Sequence, residues 1–450
     1  MTIDTSTSDK AERYREPDNP LPEPNLGWNT YGKGVEAIGR DGAPEPIEIP
    51  EPGDDQILVR VDAVGLCFSD VKLIKQGGDH PKLYGRDLAT EPTRLGHEAT
   101  VTVIEVGADL TDTYHPGQRL AIQPDVYVDG RSTAYGYTIP GGLIQYHLLG
   151  PEVLDADDGA YVIPVADEIG YAAAALSEPW ACVEASYTQR RRLSPLEGGP
   201  MWIVGDPTDT TSYAASSGLD APNRIVLTDV SEQVAALVNA SKRQDAEIIV
   251  RDGITPDGYG ELSDALTDGN GFDDIIVLDP RSAEQISEAA KVIGFRGTLN
   301  MVGTNPLDGM PDIDVGRIHY HYTAYLGNSE PDIAGSYGEA RNRAELQPGG
   351  VAVFVGAGGP MGQMHIQRAI ELEDGPATII ASDLDDDRLA VVRDRLVPMA
   401  EAAGRTIVIV NVGDDPAALE RAVSEASGGV GADDVIVSVP VAPVMGDAAT

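Results

Sequence analysis

Cysteine is nearly absent: Cys67 and Cys182 are the only two in 450 residues. Two thiols make no disulfide framework, and a reducing compartment, the cytoplasm, is the expected setting. Lysine is scarce as well, at Lys10, Lys33, Lys72, Lys75, Lys82, Lys242 and Lys291. Aromatic residues make up 5%, with four Phe and three Trp. No run of 18 uncharged apolar residues occurs, so no helical membrane span is expected. The opening residues, MTIDTSTSDKAERYREP, lack the apolar core of a signal peptide.

What abounds is acid. The 73 Asp and Glu outnumber the 32 Lys and Arg and give a formal charge of −41. Phosphate backbones repel such a surface, so nucleic acid is excluded as an electrostatically held partner. Hydrophobic residues reach 42%, enough for packed cores, which excludes general disorder. The length suggests about two to four domains. An acid-rich, lysine-poor surface fits a halophilic, high-salt cytoplasm, where ions screen repulsion over only ~3 Å at about 1 M. An ordinary acidic protein from a GC-rich genome is the alternative.

Residues 1–25 are polar and carry Pro17, Pro20, Pro22 and Pro24, which reads as a flexible N-terminal arm. From about Ile47 to Pro164 short β-type runs follow, such as Ile57–Val64, Ala99–Val106 and Leu120–Ile122. Gly and Pro turns separate them without a long amphipathic helix, which predicts a compact, partly barrel-like β domain. Residues 172–187 read as helical. Continuous apolar runs then alternate with helix-like segments. The runs are Met201–Gly205, Arg224–Asp229, Glu247–Arg251, Asp273–Leu278 and Thr298–Val302, and the helices include Ser231–Lys242 and Ala283–Ile293. Buried strands separated by helices predict a parallel, doubly wound sheet.

The pattern then begins again at Val351–Val355, Thr378–Asp383 and Asp433–Val437. The offsets drift slowly, from 151 for Gly205/Gly356 to 154 for Asp229/Asp383 and 160 for Asp273/Asp433. Ordered matches of this kind suggest two related α/β units. The second is incomplete by comparison, since it stops at Thr450, soon after Val439. A sheet edge would be left uncovered. Either the chain is a fragment of a longer protein, or its last strand comes from elsewhere.

The densest chemistry lies in Gly65-Leu-Cys67-Phe-Ser69-Asp70 and Leu95-Gly-His97-Glu98. Cys67 offers a soft thiolate, His97 an imidazole, and Glu98 and Glu178 carboxylates. Mixed S, N and O donors suit Zn²⁺. From spacing alone, a lone Cys and a lone His could equally be core residues. The wider text resolves more. GLCFSDVKLIKQGGDHPKLYGRD, Val106-Gly, Pro116-Gly-Gln-Arg119, QPDVYVDGRSTAYGYTIPGGLIQYHLLGPEVL and SEPWACVEASY span most of residues 30–187. Together they resemble the medium-chain, zinc-dependent alcohol and polyol dehydrogenases, and among them the L-sorbose 1-phosphate reductase-like members.

The resemblance implies a GroES-like β catalytic domain over 26–187, and the repeated strand pattern adds a first Rossmann-like unit over 188–346 and a second over 347–450. It implies Cys67, His97 and Glu98 as metal ligands, with Glu178 facing the metal directly or through water. Ser69 would hydrogen-bond the reacting oxygen and pass on its proton, and Asp70 would orient His97. One catalytic zinc is expected. No cluster of four cysteines is present, so the structural zinc of many relatives is not expected.

The lysines speak to substrate. Lys72, Lys75 and Lys82 crowd together just after Cys67, with His80 and Arg86 in the same stretch. In so acidic a chain, a local positive field suggests an anionic substrate group, such as the phosphate of a sugar or polyol. A solvated loop with ordinary lysines is the plainer reading.

Val355-Gly-Ala-Gly-Gly-Pro-Met-Gly362 follows a strand and opens a helix, Gln363–Leu372. Backbone N–H groups at a helix start can hold a pyrophosphate. Gly356, Gly358, Gly359 and Gly362 are therefore candidate cofactor residues. Asp383 ends the next strand, where a carboxylate would accept from ribose hydroxyls and favour NAD over NADP. The first unit's turn, Gly205-Asp-Pro-Thr-Asp-Thr-Thr211, has one glycine, and Asp206 and Asp209 would oppose a diphosphate. It reads as a degenerate copy that binds no cofactor, although it directly follows the zinc domain, as the family's cofactor unit does. Insertion of one whole unit into a single enzyme would reconcile these observations.

Cys182 is expected to be buried on its helix. His319 and His321, spaced i and i+2, are expected on one strand face, and His115, His147 and His365 have no ligand spacing. The reading is a cytoplasmic zinc-dependent oxidoreductase acting on a sugar or polyol, and a homo-oligomer is expected. Its rivals are a zinc-assisted lyase or epimerase with tightly bound nicotinamide, and a non-catalytic nucleotide-binding scaffold. The charge generates one prediction: the melting temperature rises between low and molar salt in calorimetry, and a flat or falling trend refutes the halophilic reading.

Overall fold

The computed structural model describes residues 21–22, 24–413 and 415–448. Most of the arm expected over 1–25 lies outside them. The chain divides into two compact units, Met1–Glu184 and Ala185–Thr450.

The first unit centres on a five-stranded antiparallel sheet. Its strands are β1 (Ile57–Gly65), β2 (Glu98–Val106), β3 (Arg119–Ile122), β4 (Tyr146–Leu149) and β5 (Val162–Pro164), in the order β4-β1-β2-β3-β5. Period-2 alternation puts Ile57, Val59, Val101, Val103, Leu120 and Ile122 into one buried cluster with Tyr135 and Leu149. Helix α1 (Phe68–Gln76) follows β1, and α2 (Ser177–Ser186) starts near the end of the unit.

The second unit holds two parallel sheets. The larger contains β6 (Pro200–Val204), β7 (Arg224–Thr228), β8 (Glu247–Val250), β9 (Phe272–Leu278), β10 (Ile293–Val302) and β11 (Ala324–Asn328). Its order, β8-β7-β6-β9-β10-β11, is the doubly wound order of dinucleotide-binding folds. Trp202 is fully buried between Tyr259 and Phe272, at ring distances of 4.6 and 5.5 Å, and its indole N–H reaches Thr228 Oγ1 at 2.9 Å. Helices α3 (Glu232–Ser241) and α4 (Ala283–Lys291) begin where Ser231 and Ser282 cap them.

The expectation for His319 and His321 fails. The Asp314 carboxylate accepts the Gly316 N–H at 2.9 Å and starts a short helix, α5 (Val315–Tyr320). His319 lies within that helix and His321 caps its end, so the two do not share a strand face.

The smaller sheet contains β12 (Val351–Val355), β13 (Thr378–Asp383), β14 (Thr406–Asn411) and β15 (Asp434–Val437) in the order β14-β13-β12-β15. Helices α6 (Pro360–Glu371) and α7 (Asp386–Ala402) pack on one face. Among the described residues, these four strands wind as the first four of the larger sheet do. A β domain followed by two parallel α/β units is the architecture expected from the strand pattern.

Inside the first sheet, the Arg60 Nε–H donates to Asp62 Oδ1 at 2.7 Å, with both side chains almost wholly buried. Burial pushes the Asp62 carboxyl up, while the Thr102 hydroxyl and Arg60 act against that push. Removing one partner strands the other charge. Asp62→Ala should lower the unfolding free energy by about 3 kcal/mol in denaturant titration, and Asp62→Asn by less.

Candidate active site

Cys67 sits between β1 and α1 as the N-cap residue of the helix. Its N–H donates to Asp70 Oδ2 at 2.9 Å, which closes a capping box. The other Asp70 oxygen accepts the Gly96 N–H at 3.1 Å and lies 3.6 Å from His97 Nδ1. That last distance is too long for a good hydrogen bond but within ion-pair range. His97 and Glu98, at the head of β2, thus come beside Cys67. The ligand atoms of Cys67, His97 and Glu98 lie within 4.8 Å of one another. His97 is 5% exposed, and its Nδ1 has no hydrogen-bond partner.

Glycines make the space. A side chain on Gly65 would collide with Glu98 Oε2, and one on Gly136 would come within 2.9 Å of His97 Cβ. Glu178, half-buried in the first turn of α2, is not one of the tight group, but it feels the His97 charge. Ser69 is half-buried in the first turn of α1.

The electrostatics are those of an under-neutralised site. Burial alone would push the His97 imidazole down, but Asp70 and Cys67 outweigh it and hold it near 10. Burial likewise would raise Asp70, yet His97 and the N–H groups of Cys67 and Gly96 keep that carboxyl low. Burial raises both Glu98 and Glu178, with His97 opposing in each. One thiol and three carboxyls act on one imidazole. Such a donor set fits a bound cation, and the mixture of S, N and O atoms fits zinc.

Cys182 differs from expectation. It is exposed, and its Sγ lies 3.8 Å from Glu178 Oε1. Helix α2 buries Pro179 and Val183 instead, which turns Cys182 off the buried stripe. Although the residue is exposed as a whole, partial desolvation of its thiol, followed by the Glu178 and Cys67 charges, pushes it up to about 12.

The lysine-rich stretch comes only partly together. Lys72 lies 5.7 Å from the Phe68 ring, and Lys75 is exposed without an ion pair among the described residues. Lys82 lies 5.5 Å from the Tyr137 ring and donates to Asp125 Oδ1 at 2.9 Å. His80 accepts the Lys82 N–H at 3.2 Å. Burial lowers its imidazole, and Lys82 and Lys72 lower it further. Tyr137 was not singled out in the sequence, yet its ring lies 5.0 Å from His80 and 6.1 Å from His97. It joins the basic loop to the metal-type cluster. Asp125 was also missed, because no local signal marks a carboxylate that meets Lys82 through loop pairing.

In the second α/β unit, β12 runs into Gly356, whose φ of 80° suits glycine. Gly359 caps α6, with Pro360 at its first position. A side chain on Gly362 would strike the Gly356 carbonyl, so the helix approaches the loop closely. Asp383 Oδ2 accepts the Gly358 N–H at 2.9 Å, and Oδ1 accepts from Leu384 and Asp385 at 2.8 and 3.2 Å. The carboxylate is nearly buried and retains one lone-pair direction for a further donor.

The corresponding loop of the first α/β unit contains no helix between β6 and β7. Asp206 Oδ1 accepts the Thr208 N–H at 2.7 Å, and Asp209 Oδ1 accepts the Thr211 N–H at 2.8 Å. Asp229 accepts the Gly253 N–H at 2.8 Å. The donors that might have met a phosphate are already bonded to carboxylates.

A cavity of about 460 Å³ in the second compact unit is bordered by Tyr187, Arg191, Ala344, Met361, His365 and β15. The Tyr187 hydroxyl lies 2.8 Å from His365 Nδ1, and Arg368 stacks over the Tyr187 ring at 4.0 Å.

Residues 53–154 match the alcohol dehydrogenase GroES-like domain. The chain is 29% identical to L-sorbose 1-phosphate reductase of Klebsiella pneumoniae, over 66% of this chain and 74% of that protein. It is 28% identical to mannitol-1-phosphate 5-dehydrogenase of Aliivibrio fischeri, over 67% and 74%. A sorbitol dehydrogenase of Bombyx mori is 31% identical over 41% of this chain and 53% of its own. With its GroES-like match over 53–154 and the parallel α/β units that follow, the chain is similar to the zinc-type alcohol and polyol dehydrogenases.

His365 generates a pH prediction. Burial, with Arg368 beside it, lowers its imidazole from 6.5 to about 4. The folded state therefore binds its proton less readily than the unfolded state. The stabilisation is complete above about pH 6.5 and is lost as pH falls towards 4. His365→Gln should remove up to about 3 kcal/mol of the acid-side loss, read from denaturant titrations across that range.

Proposed function

We propose that the chain is a zinc-dependent oxidoreductase that moves a hydride between NAD and a polyol or ketose carrying a phosphate. The observation that carries this reading is the Cys67, His97 and Glu98 group, whose ligand atoms lie within 4.8 Å of one another. Zinc held by these residues would polarise a carbonyl or steady an alkoxide. The nicotinamide would supply or accept the hydride.

The chain's own residues do the rest. Asp70 fixes Cys67 and Gly96 through backbone N–H groups and holds negative charge beside His97. Glu178 adds a carboxylate that can approach the metal directly or through water. Ser69 donates to the reacting oxygen and passes its proton on. Lys72 and Lys82 supply the field for a phosphate, His80 adds a neutral imidazole that can hydrogen-bond it, and Lys75 adds an exposed charge.

The second α/β unit is assigned the NAD site, through Gly356, Gly358, Gly359, Gly362 and Asp383. Its loop leads into a helix start, whereas the first unit's loop leads into none. Asp383 favours NAD, because a 2′-phosphate would meet its charge. The first unit is then an insertion. In support, Tyr187 rests on α6, and Arg191 and Ala344, which bracket the first unit, border the same cavity.

Purified protein should contain about one zinc per chain by mass spectrometry. It should reduce a ketose phosphate with loss of NADH absorbance, and Cys67→Ser should lose both metal and turnover. Full activity in Cys67→Ser would refute the zinc reading. Gly362→Val should weaken NADH binding at least about tenfold by fluorescence titration, whereas Thr208→Val in the first unit should not.

A further inference from the structure

We propose that Asp125 is a specificity-determining residue, a carboxylate that holds Lys82 until the substrate's phosphate displaces it. The inference rests on the phosphorylated-substrate reading above. Lys82 is linked to the cluster through Tyr137. Its ammonium lies over Tyr137, the ring that also approaches His97. Its one ion-pair partner among the described residues is Asp125, at 2.9 Å. Both side chains are partly open, at 34% and 49%, so a solute can reach either.

Asp125 is held in place rather than met by chance. Its Oδ1 also accepts from the Ser132 hydroxyl at 3.3 Å. The segments that carry the pair are tied independently. The Tyr84 hydroxyl donates to the Ser132 carbonyl at 2.7 Å, the Thr138 hydroxyl to the Lys82 carbonyl at 2.8 Å, and Arg131 stacks on Tyr84 at 3.5 Å. Asp125 also acts electrostatically on Glu178.

The consequence is a competition. A neutral sugar gains nothing from freeing Lys82 and meets Asp125 as a hydrogen-bond acceptor. A phosphate brings more negative charge and more acceptor oxygens than the carboxylate it replaces, so it takes the ammonium. It must still outbid Asp125, and it approaches against that negative charge. The carboxylate thus weakens phosphate binding while keeping Lys82 oriented towards the site.

The test is a double-mutant cycle on the full-length holoenzyme with Asp125→Asn, Lys82→Met and both together. A ketose phosphate, its unphosphorylated ketose and inorganic phosphate as inhibitor are the probes. Asp125→Asn should lower KM for the phosphorylated substrate, and Ki for inorganic phosphate, by about fivefold, the scale of an exposed ion pair. The gain should vanish in the Lys82→Met background. Asp125→Ser, which keeps a small polar group, should behave as Asp125→Asn does and guards against a local packing artefact. If wild type prefers the phosphorylated ketose but Asp125→Asn leaves its KM unchanged, raises it, or acts equally without Lys82, this inference alone falls. If wild type shows no preference for the phosphorylated ketose, the substrate reading fails and the inference falls with it.

Discussion

The buried Asp70 carboxylate is the constraint on which the site depends. One oxygen accepts the Cys67 N–H, and the other accepts the Gly96 N–H while facing His97. Cys67 follows the last residue of β1 and His97 precedes the first residue of β2, at the same end of the antiparallel pair. Register between β1 and β2 brings Gly65 opposite Glu98, but strand pairing cannot fix the loops beyond it. Asp70 does so by satisfying an N–H on each side. Charge alone would be a weak tether near water. Here the carboxylate is 4% exposed, so losing either partner leaves a buried acceptor unsatisfied.

The same economy of backbone donors separates the two α/β units. In the second, Asp383 ties the Gly358 N–H and leaves a helix start behind it. In the first, Asp206 and Asp209 fold their loop onto itself and no helix follows. Both sheets wind in the same sense, so the difference lies in loop chemistry rather than topology.

Much of the fold was legible because its signals are local. Val351–Val355 and Thr378–Asp383 are continuous apolar runs, and they are strands over those same residues. The helices expected over Ser231–Lys242 and Ala283–Ile293 start locally, because the Ser231 and Ser282 hydroxyls each meet an N–H three residues on. Asp314 carries the same kind of signal but was overlooked beside the alternating His-Tyr-His-Tyr, whose period imitates a strand. For the candidate site, residue type and resemblance selected Cys67, His97 and Glu98, which the fold brings within 4.8 Å. Tyr137 and Asp125 could not be chosen that way. Their places depend on contacts between distant loops, and a single sequence shows no trace of those.

The self-closed loop of the first α/β unit bears on protein design. Replacing Asp206 and Asp209 with glycine would remove charge and release N–H groups, yet the released groups would have no shared direction. A nucleotide's phosphates are held by several donors aligned at one helix end. Residues 206–223 form no helix, so a functional loop there would require a new element of secondary structure. Point substitution alone therefore cannot supply there the aligned helix-start donors on which a phosphate rests.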